Sequence, residues 1–239
     1  MSKPNLTIVL LPGLDGTGRL FEFLLPFLPS YLNPIIVSYP TAPCLDYNAL
    51  QDFVVKVIPT TGSWVLLAES FSGPIALNIA ASGQRNLVAV ILVATFIQNP
   101  LPQFASWSRY FIDNPLFRCL IPRGLIRNFL LGRNAPKNLT EAFSEILRSL
   151  TSEIWAYRLR LVLTVDARQA LLACSVPILY LFPNKDKVIT RRSRDVILSL
   201  RPDIEFASIN APHMLLQREP LIASKAIDHF LQCISKLIT

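Results

Sequence analysis

Histidine is scarce in this sequence: 239 residues hold two, His213 and His229, so any chemistry that needs an imidazole has two candidates. Cysteine is sparse and unpaired in spacing. Cys44, Cys119, Cys174 and Cys233 form no C-x-x-C pair, which argues against a zinc ribbon or a dithiol redox motif and reads as reduced thiols of a cytoplasmic protein. With so few ligands there is no metal-binding cluster, and no metal or organic cofactor is expected. Long apolar runs are missing as well. Hydrophobic residues make up 51% of the chain, yet runs such as Leu87–Val93 fall far short of the ~20 residues a membrane-spanning helix needs. No signal peptide is read at Met1-Ser2-Lys3-Pro4-Asn5, because no small-residue cleavage site follows. The phosphate-cradling patterns G-x-G-x-x-G and G-K-[ST] are absent. So are internal repeats and any aromatic stripe among the basic residues, which argues against nucleic acid as a partner.

What the sequence does have is rhythm. Short apolar runs alternate with amphipathic, helix-length stretches, the pattern of a parallel sheet with crossover helices. Strands are predicted at 6–11, 34–39, 64–68, 87–94, 177–182 and 203–209, and helices at 18–28, 46–58, 71–82, 191–200 and 219–235. Pro34, Pro177 and Pro202 stand at strand starts, where a missing N–H does little harm. The rhythm breaks between Phe96 and Asp166, which holds Trp107, Phe129 and Trp155 and a helical pattern at 140–150 but no convincing strand. The expected organisation is a core of residues 1–95 and 167–239, with residues 96–166 inserted as a helical cap after the fourth strand.

Trp64-Val65-Leu66-Leu67-Ala68-Glu69 reads as a buried strand, and the stretch from Phe71 to Ala80 as a helix, with Ser70 at the joint. A sharp strand-to-helix turn exposes one side chain and demands small residues two positions either side. Here these are Ala68 and Ser72 instead of glycines, with Gly73 following. Ser70 is therefore the candidate nucleophile, and the N–H of Phe71 a candidate oxyanion donor. Two alternatives stay open at this point: Ser70 as a simple helix cap, and Ser72 as the nucleophile. After the first strand, Leu11-Pro12-Gly13-Leu14-Asp15-Gly16-Thr17-Gly18 holds three of only eight glycines. Such a loop lets backbone approach a ligand closely, and Leu14 is the candidate for the second oxyanion N–H. Asp15 reads as a turn former.

His213 follows the last predicted strand and precedes a helix that Pro220 opens, whereas His229 falls within the C-terminal amphipathic helix. A nucleophile–acid–base order along the chain places the acid after the fifth strand, where Asp186 stands between Lys185 and Lys187. Its job would be to hold the imidazole tautomer and stabilise the imidazolium.

With these residues in this order, the chain resembles an α/β-hydrolase from Gly13 to the last helix. The expected fold is an α/β-hydrolase fold: about six parallel strands, helices on both faces and a helical cap. Within that superfamily, Thr164-Val165-Asp166-Ala167-Arg168-Gln169-Ala170-Leu171 and Arg127-Asn128-Phe129-Leu130 are similar to the pimeloyl-acyl-carrier-protein methyl ester carboxylesterases. The nucleophile turn and the Pro12 loop are closer to less specific esterases and lipases. The resemblance implies a serine esterase acting through an acyl-enzyme. It places Trp107, Phe129 and Leu130 at the substrate and implies an acidic acyl carrier protein as a partner. Charge fits such a partner: residues 97–165 hold nine Arg or Lys against four acids, and Lys185, Lys187, Arg191, Arg192 and Arg194 cluster nearby. Arg109, Arg118, Arg123 and Arg127 are the candidates to contact it. A broad esterase or lipase, an acyl thioesterase or acyltransferase, and a non-catalytic binding protein built on the same fold are the competing readings.

Overall fold

The computed structural model describes residues 6–100 and 123–238. Six strands form one all-parallel sheet: β1 (Leu6–Leu11), β2 (Leu32–Ile36), β3 (Trp64–Glu69), β4 (Leu87–Val93), β5 (Ile178–Pro183) and β6 (Glu205–Ile209). Their order is β2-β1-β3-β4-β5-β6, so the chain steps from β1 to one edge and then returns to build the other side. The loops after β1 and β3 therefore leave side by side from the carboxyl edge, where Leu11 pairs with Ala68. In open parallel sheets this crevice is where ligands bind.

The apolar strand sequences follow from burial on both faces. In β3 all six residues are buried. Alternate side chains feed two separate cores. Val9, Leu11, Trp64, Leu66, Val90 and Leu92 face one, and Ile8, Leu10, Val65, Leu67, Ile91 and Val93 face the other. The first is covered by helices α1 (Tyr47–Val55) and α2 (Gly73–Ala81), which contribute Leu50, Val54, Ile75 and Ile79. The second is covered by the C-terminal helix, Pro220–Ile238, through Ala223, Ile227, Phe230 and Leu231.

Two predicted elements change. In place of a helix over 18–28 there are two short 3-10 turns, Arg19–Phe23 and Leu25–Phe27. Pro26 lacks the N–H that a continuous helix requires and its ring crowds the preceding turn. The second strand lies at 32–36 instead of 34–39, with Pro34 inside it, paired with Ile8. Because β2 is an edge strand, the lost donor costs no ladder bond.

Between β4 and β5 the described residues form helices α3 (Arg123–Leu131), α4 (Lys137–Ser149) and α5 (Ser152–Thr164), followed by α6 (Arg168–Ala173). The two ends of this segment meet: Gln98 bridges Asp166, and the Ala167 N–H donates to the Ile97 carbonyl at 2.6 Å. The segment has its own apolar cluster of Leu131, Leu139, Phe143, Ile146 and Ile154, which takes Leu20 and Met214 from the rest of the chain. Among the described residues no helix is long and apolar enough to cross a membrane.

Candidate active site

The turn out of β3 is strained at one residue. Ser70 has φ of 49°, the left-handed region that an L-residue enters only when its surroundings impose it. The imposing contacts are tertiary. Thr95 Oγ1, just beyond β4, donates to the Ser70 carbonyl at 2.5 Å. A Cβ at Gly73 would lie 2.0 Å from that same Thr95 oxygen, so only glycine fits there. Ser72 is fully buried; its hydroxyl donates to the Pro12 carbonyl and meets the Tyr39 hydroxyl at 2.6 Å. That leaves Ser72 no free hydroxyl to offer a substrate. Ser70 does not cap α2, whose N-terminal residue makes no side-chain cap bond.

The Ser70 hydroxyl lies 2.9 Å from His213 Nε2, and His213 Nδ1 lies 2.7 Å from Asp186 Oδ2. The Asp186 side chain is fully buried, and its other oxygen accepts the N–H groups of Val188 at 2.6 Å and Ile189 at 2.9 Å. The carboxylate is thus fixed by the turn after β5. The loop of His213 is fixed in turn by Met214 N–H donating to the Leu130 carbonyl at 3.1 Å. The structure brings together three side chains that the sequence sets 116 and 27 positions apart. Burial opposes a charge on His213, but the Asp186 carboxylate, by its charge and its hydrogen bond, and Glu69 outweigh it and raise the imidazole above its ordinary pKa. A hydroxyl joined in this way to an imidazole can hand over its proton as the oxygen attacks.

A cavity of about 120 Å³ opens onto this hydroxyl, lined by Gly13, Leu14, Phe71, Leu130, Phe143 and Trp155 among others. Gly13 sits so close that a Cβ there would come within 3.9 Å of Ser70 Cβ. Leu14 and Phe71, the two expected oxyanion donors, both line it beside Ser70 and His213. The Phe71 ring is buried against Tyr47 at 5.0 Å and Tyr39 at 6.3 Å, which holds its backbone in place. Asp15 is a turn former in fact, with Oδ1 accepting the Thr17 N–H at 2.8 Å.

The remaining candidates divide. Leu130 lines the cavity; Phe129, its neighbour on α3, does not, and is 43% exposed with Lys187 Nζ 5.9 Å from its ring. Arg127 is half-buried on α3. Trp107, Arg109, Arg118 and the side chain of Arg123 lie outside the described residues. His229 is exposed on the C-terminal helix, 3.8 Å from Cys233 Sγ. Among the described residues no group of three His, Cys, Asp or Glu could hold a metal ion.

Sequence reasoning missed three residues: Thr95, Arg158 and Glu69. Arg158 of α5 is 2% exposed and reaches the loop that carries Leu14. Glu69 lines the cavity and is 4% exposed, with one oxygen 3.3 Å from Gln217 Nε2 and the other without a partner among the described residues. Burial, reinforced by Asp15 and only partly opposed by Gln217 and His213, pushes the Glu69 carboxyl up to about 7. The one available signal was a charge ending an otherwise apolar strand.

No protein-family model matches the sequence, and no curated protein does. Solved structures do. An esterase from Exiguobacterium antarcticum matches with a TM-score of 0.81 at 18% identity, over 96% of this chain and 92% of that one. An enol-lactonase from Burkholderia xenovorans gives 0.79 at 14%, over 97% and 92%. A bromoperoxidase from Bacillus anthracis gives 0.81 at 14%, over 95% and 91%. Likeness at such identities speaks of architecture, and one architecture serves several chemistries. With its six parallel strands and these near-complete superpositions, the chain has the α/β-hydrolase fold.

Proposed function

We propose that this protein is a serine esterase, with Ser70 as nucleophile, His213 as general base and Asp186 as the orienting acid. The observation that carries the reading is the unbroken line of hydrogen bonds from the Ser70 hydroxyl through His213 to buried Asp186, beside an apolar cavity. His213 Nε2 takes the Ser70 proton while the oxygen attacks the ester carbonyl, and the N–H groups of Leu14 and Phe71 receive the oxyanion. The carbonyl re-forms, the alcohol leaves with the proton from His213, and water then repeats the sequence to release the acid. Residues 1–95 and 167–239 serve as the core and 96–166 as the cap; the Gln98–Asp166 bridge at the neck supports that division. Cys44, Cys174 and Cys233 are free thiols, which supports a reducing cytoplasmic setting.

The test is an active-site-directed fluorophosphonate together with turnover of a p-nitrophenyl ester. Wild-type protein should be labelled, and Ser70→Ala should lose labelling and at least ~10³-fold in kcat. An unlabelled wild-type protein is the outcome of the non-catalytic reading and would end this one.

The finer reading is a methyl ester of an acyl chain carried by an acidic acyl carrier protein. It draws support from the nine-to-four excess of basic residues in 97–165 and from the basic cluster at 185–194. Arg109, Arg118, Arg123 and Arg127 are its proposed contacts, and Trp107, Phe129 and Leu130 the proposed acyl contacts, Leu130 drawing support from the cavity it lines. Activity on a carrier-bound ester should fall with ionic strength while activity on a small neutral ester holds. Equal salt response of the two substrates refutes the carrier.

A further inference from the structure

The structure assigns Arg158 as a positioning residue that holds the oxyanion loop from the cap side, an inference that rests on the esterase reading above. A buried guanidinium is costly to desolvate and is normally repaid by a carboxylate. Arg158 is 2% exposed, and among the described residues it forms no ion pair. Its hydrogen bonds go to backbone instead: Nη1 donates to the carbonyls of Leu14 at 3.0 Å and Asp15 at 2.5 Å, and Nη2 to Pro40 at 3.3 Å. Its Cζ lies 5.9 Å from the centre of the Tyr39 ring. The loop has been shaped to admit it. Gly16 has φ of 71°, and a Cβ there would lie 2.2 Å from Arg158 Nη1.

The carbonyls of the loop are thereby occupied one after another. Ser72 takes that of Pro12, the Gly16 N–H that of Gly13 at 3.0 Å, Arg158 those of Leu14 and Asp15, and the Tyr39 N–H that of Gly16 at 2.7 Å. Peptide planarity does the rest. The Leu14 N–H points opposite to the Gly13 carbonyl across one trans peptide, and Arg158 fixes the two peptide units that follow. Releasing Arg158 frees those units to rotate and takes the Leu14 N–H out of line. The same helix presents Trp155, Leu159 and Val162 to the cavity. One helix therefore touches both the acyl site and the oxyanion loop.

An oxyanion donor acts in the transition state far more than on the bound substrate, so its misplacement should cost kcat and spare KM. In Arg158→Ala, kcat for p-nitrophenyl butyrate should fall by ~10- to 100-fold, with KM changed by less than about threefold. Tens of millimolar guanidinium should restore part of the lost kcat in Arg158→Ala and none in Ser70→Ala. If Arg158→Ala does not fold, Arg158→Lys keeps the stem and the charge but lacks the planar fork that reaches three carbonyls. It should melt as wild type does and still lose at least about fivefold in kcat. A folded Arg158 variant with wild-type kcat, or one whose loss lies in KM alone, overturns the assignment. Fluorophosphonate labelling separates the two levels of the argument: labelled wild type with an indifferent Arg158 refutes only the positioning role, and unlabelled wild type refutes the esterase itself.

Discussion

Glu69→Gln tests the electrostatics of the site, because its effect has a definite sign. The carboxyl titrates at about 7 in the folded protein against an ordinary value of 4.5. Between those values the folded state holds a proton that the unfolded chain has released, so stability falls as pH rises through this window and stays low above it. The full penalty of a 4.5-to-7 displacement is about 3 kcal/mol at 1.36 kcal/mol for each pH unit. In a protein of this size that corresponds to ~6–12 °C in Tm. Glutamine keeps the shape and cannot ionise. The Tm of Glu69→Gln minus that of wild type should therefore increase between pH 4.5 and pH 8, whatever constant offset the new amide brings. The raised pKa of His213 also lowers stability with rising pH, but it is present in both proteins and largely cancels in the difference. The assay is a set of thermal melts across that range, with the pH profile of kcat/KM beside it. Ionised Glu69 helps to hold the His213 proton, so its removal should move the acid limb of the profile to lower pH. A Tm difference that does not change with pH would show that Glu69 ionises normally, and the account of its environment would fall.

The other predictions are simpler. His213→Ala should be as damaging to kcat as Ser70→Ala, while His229→Ala, exposed and beside Cys233, should stay within about twofold of wild type; equal losses at both histidines would contradict the assignment of the base. Ser72→Ala should still be labelled by fluorophosphonate but should lose ~1–3 kcal/mol in urea unfolding, because the buried Pro12 carbonyl and Tyr39 hydroxyl lose their partner. Loss of labelling without loss of stability would make Ser72 the nucleophile.

Most of the fold was legible because the sheet is buried on both faces, so its strands stand out as short apolar runs. Where the prediction slipped, a local feature was overruled by a tertiary one. The stretch at 18–28 has helical spacing, but Pro26 divides it into two tight turns. The second strand starts two residues and ends three residues earlier than expected because its register is set by pairing with β1, and an edge strand can absorb Pro34. The same limit applies to Phe129 and Leu130, of which Leu130 lines the cavity and Phe129 does not. Neighbours on a helix point about 100° apart, so choosing between Phe129 and Leu130 needs the rotation of α3, which packing fixes. Thr95, Arg158 and Glu69 act on partners 25, 144 and 148 positions away, and nothing in their own neighbourhoods announces those contacts.

The turn at Ser70 keeps a sharp strand-to-helix geometry despite its departure from G-x-S-x-G. What that turn requires is room, and glycine is one way to provide it. Ala68 is wholly buried, paired with Leu11 and Leu92 of the flanking strands and facing the core beneath α1 and α2, where a larger side chain would crowd that packing. At 72 a glycine would supply room but no hydroxyl, and the hydroxyl is what ties the turn to the Pro12 carbonyl of the loop after β1. The position with no tolerance for a side chain has moved one residue on, to Gly73, because Thr95 stands there to hold the Ser70 carbonyl. The turn therefore keeps its geometry by exchanging two glycines for one glycine and two hydroxyl-bearing braces. A search for the letters of the motif would miss it, while a search for a strand, a serine, small neighbours and a helix does not.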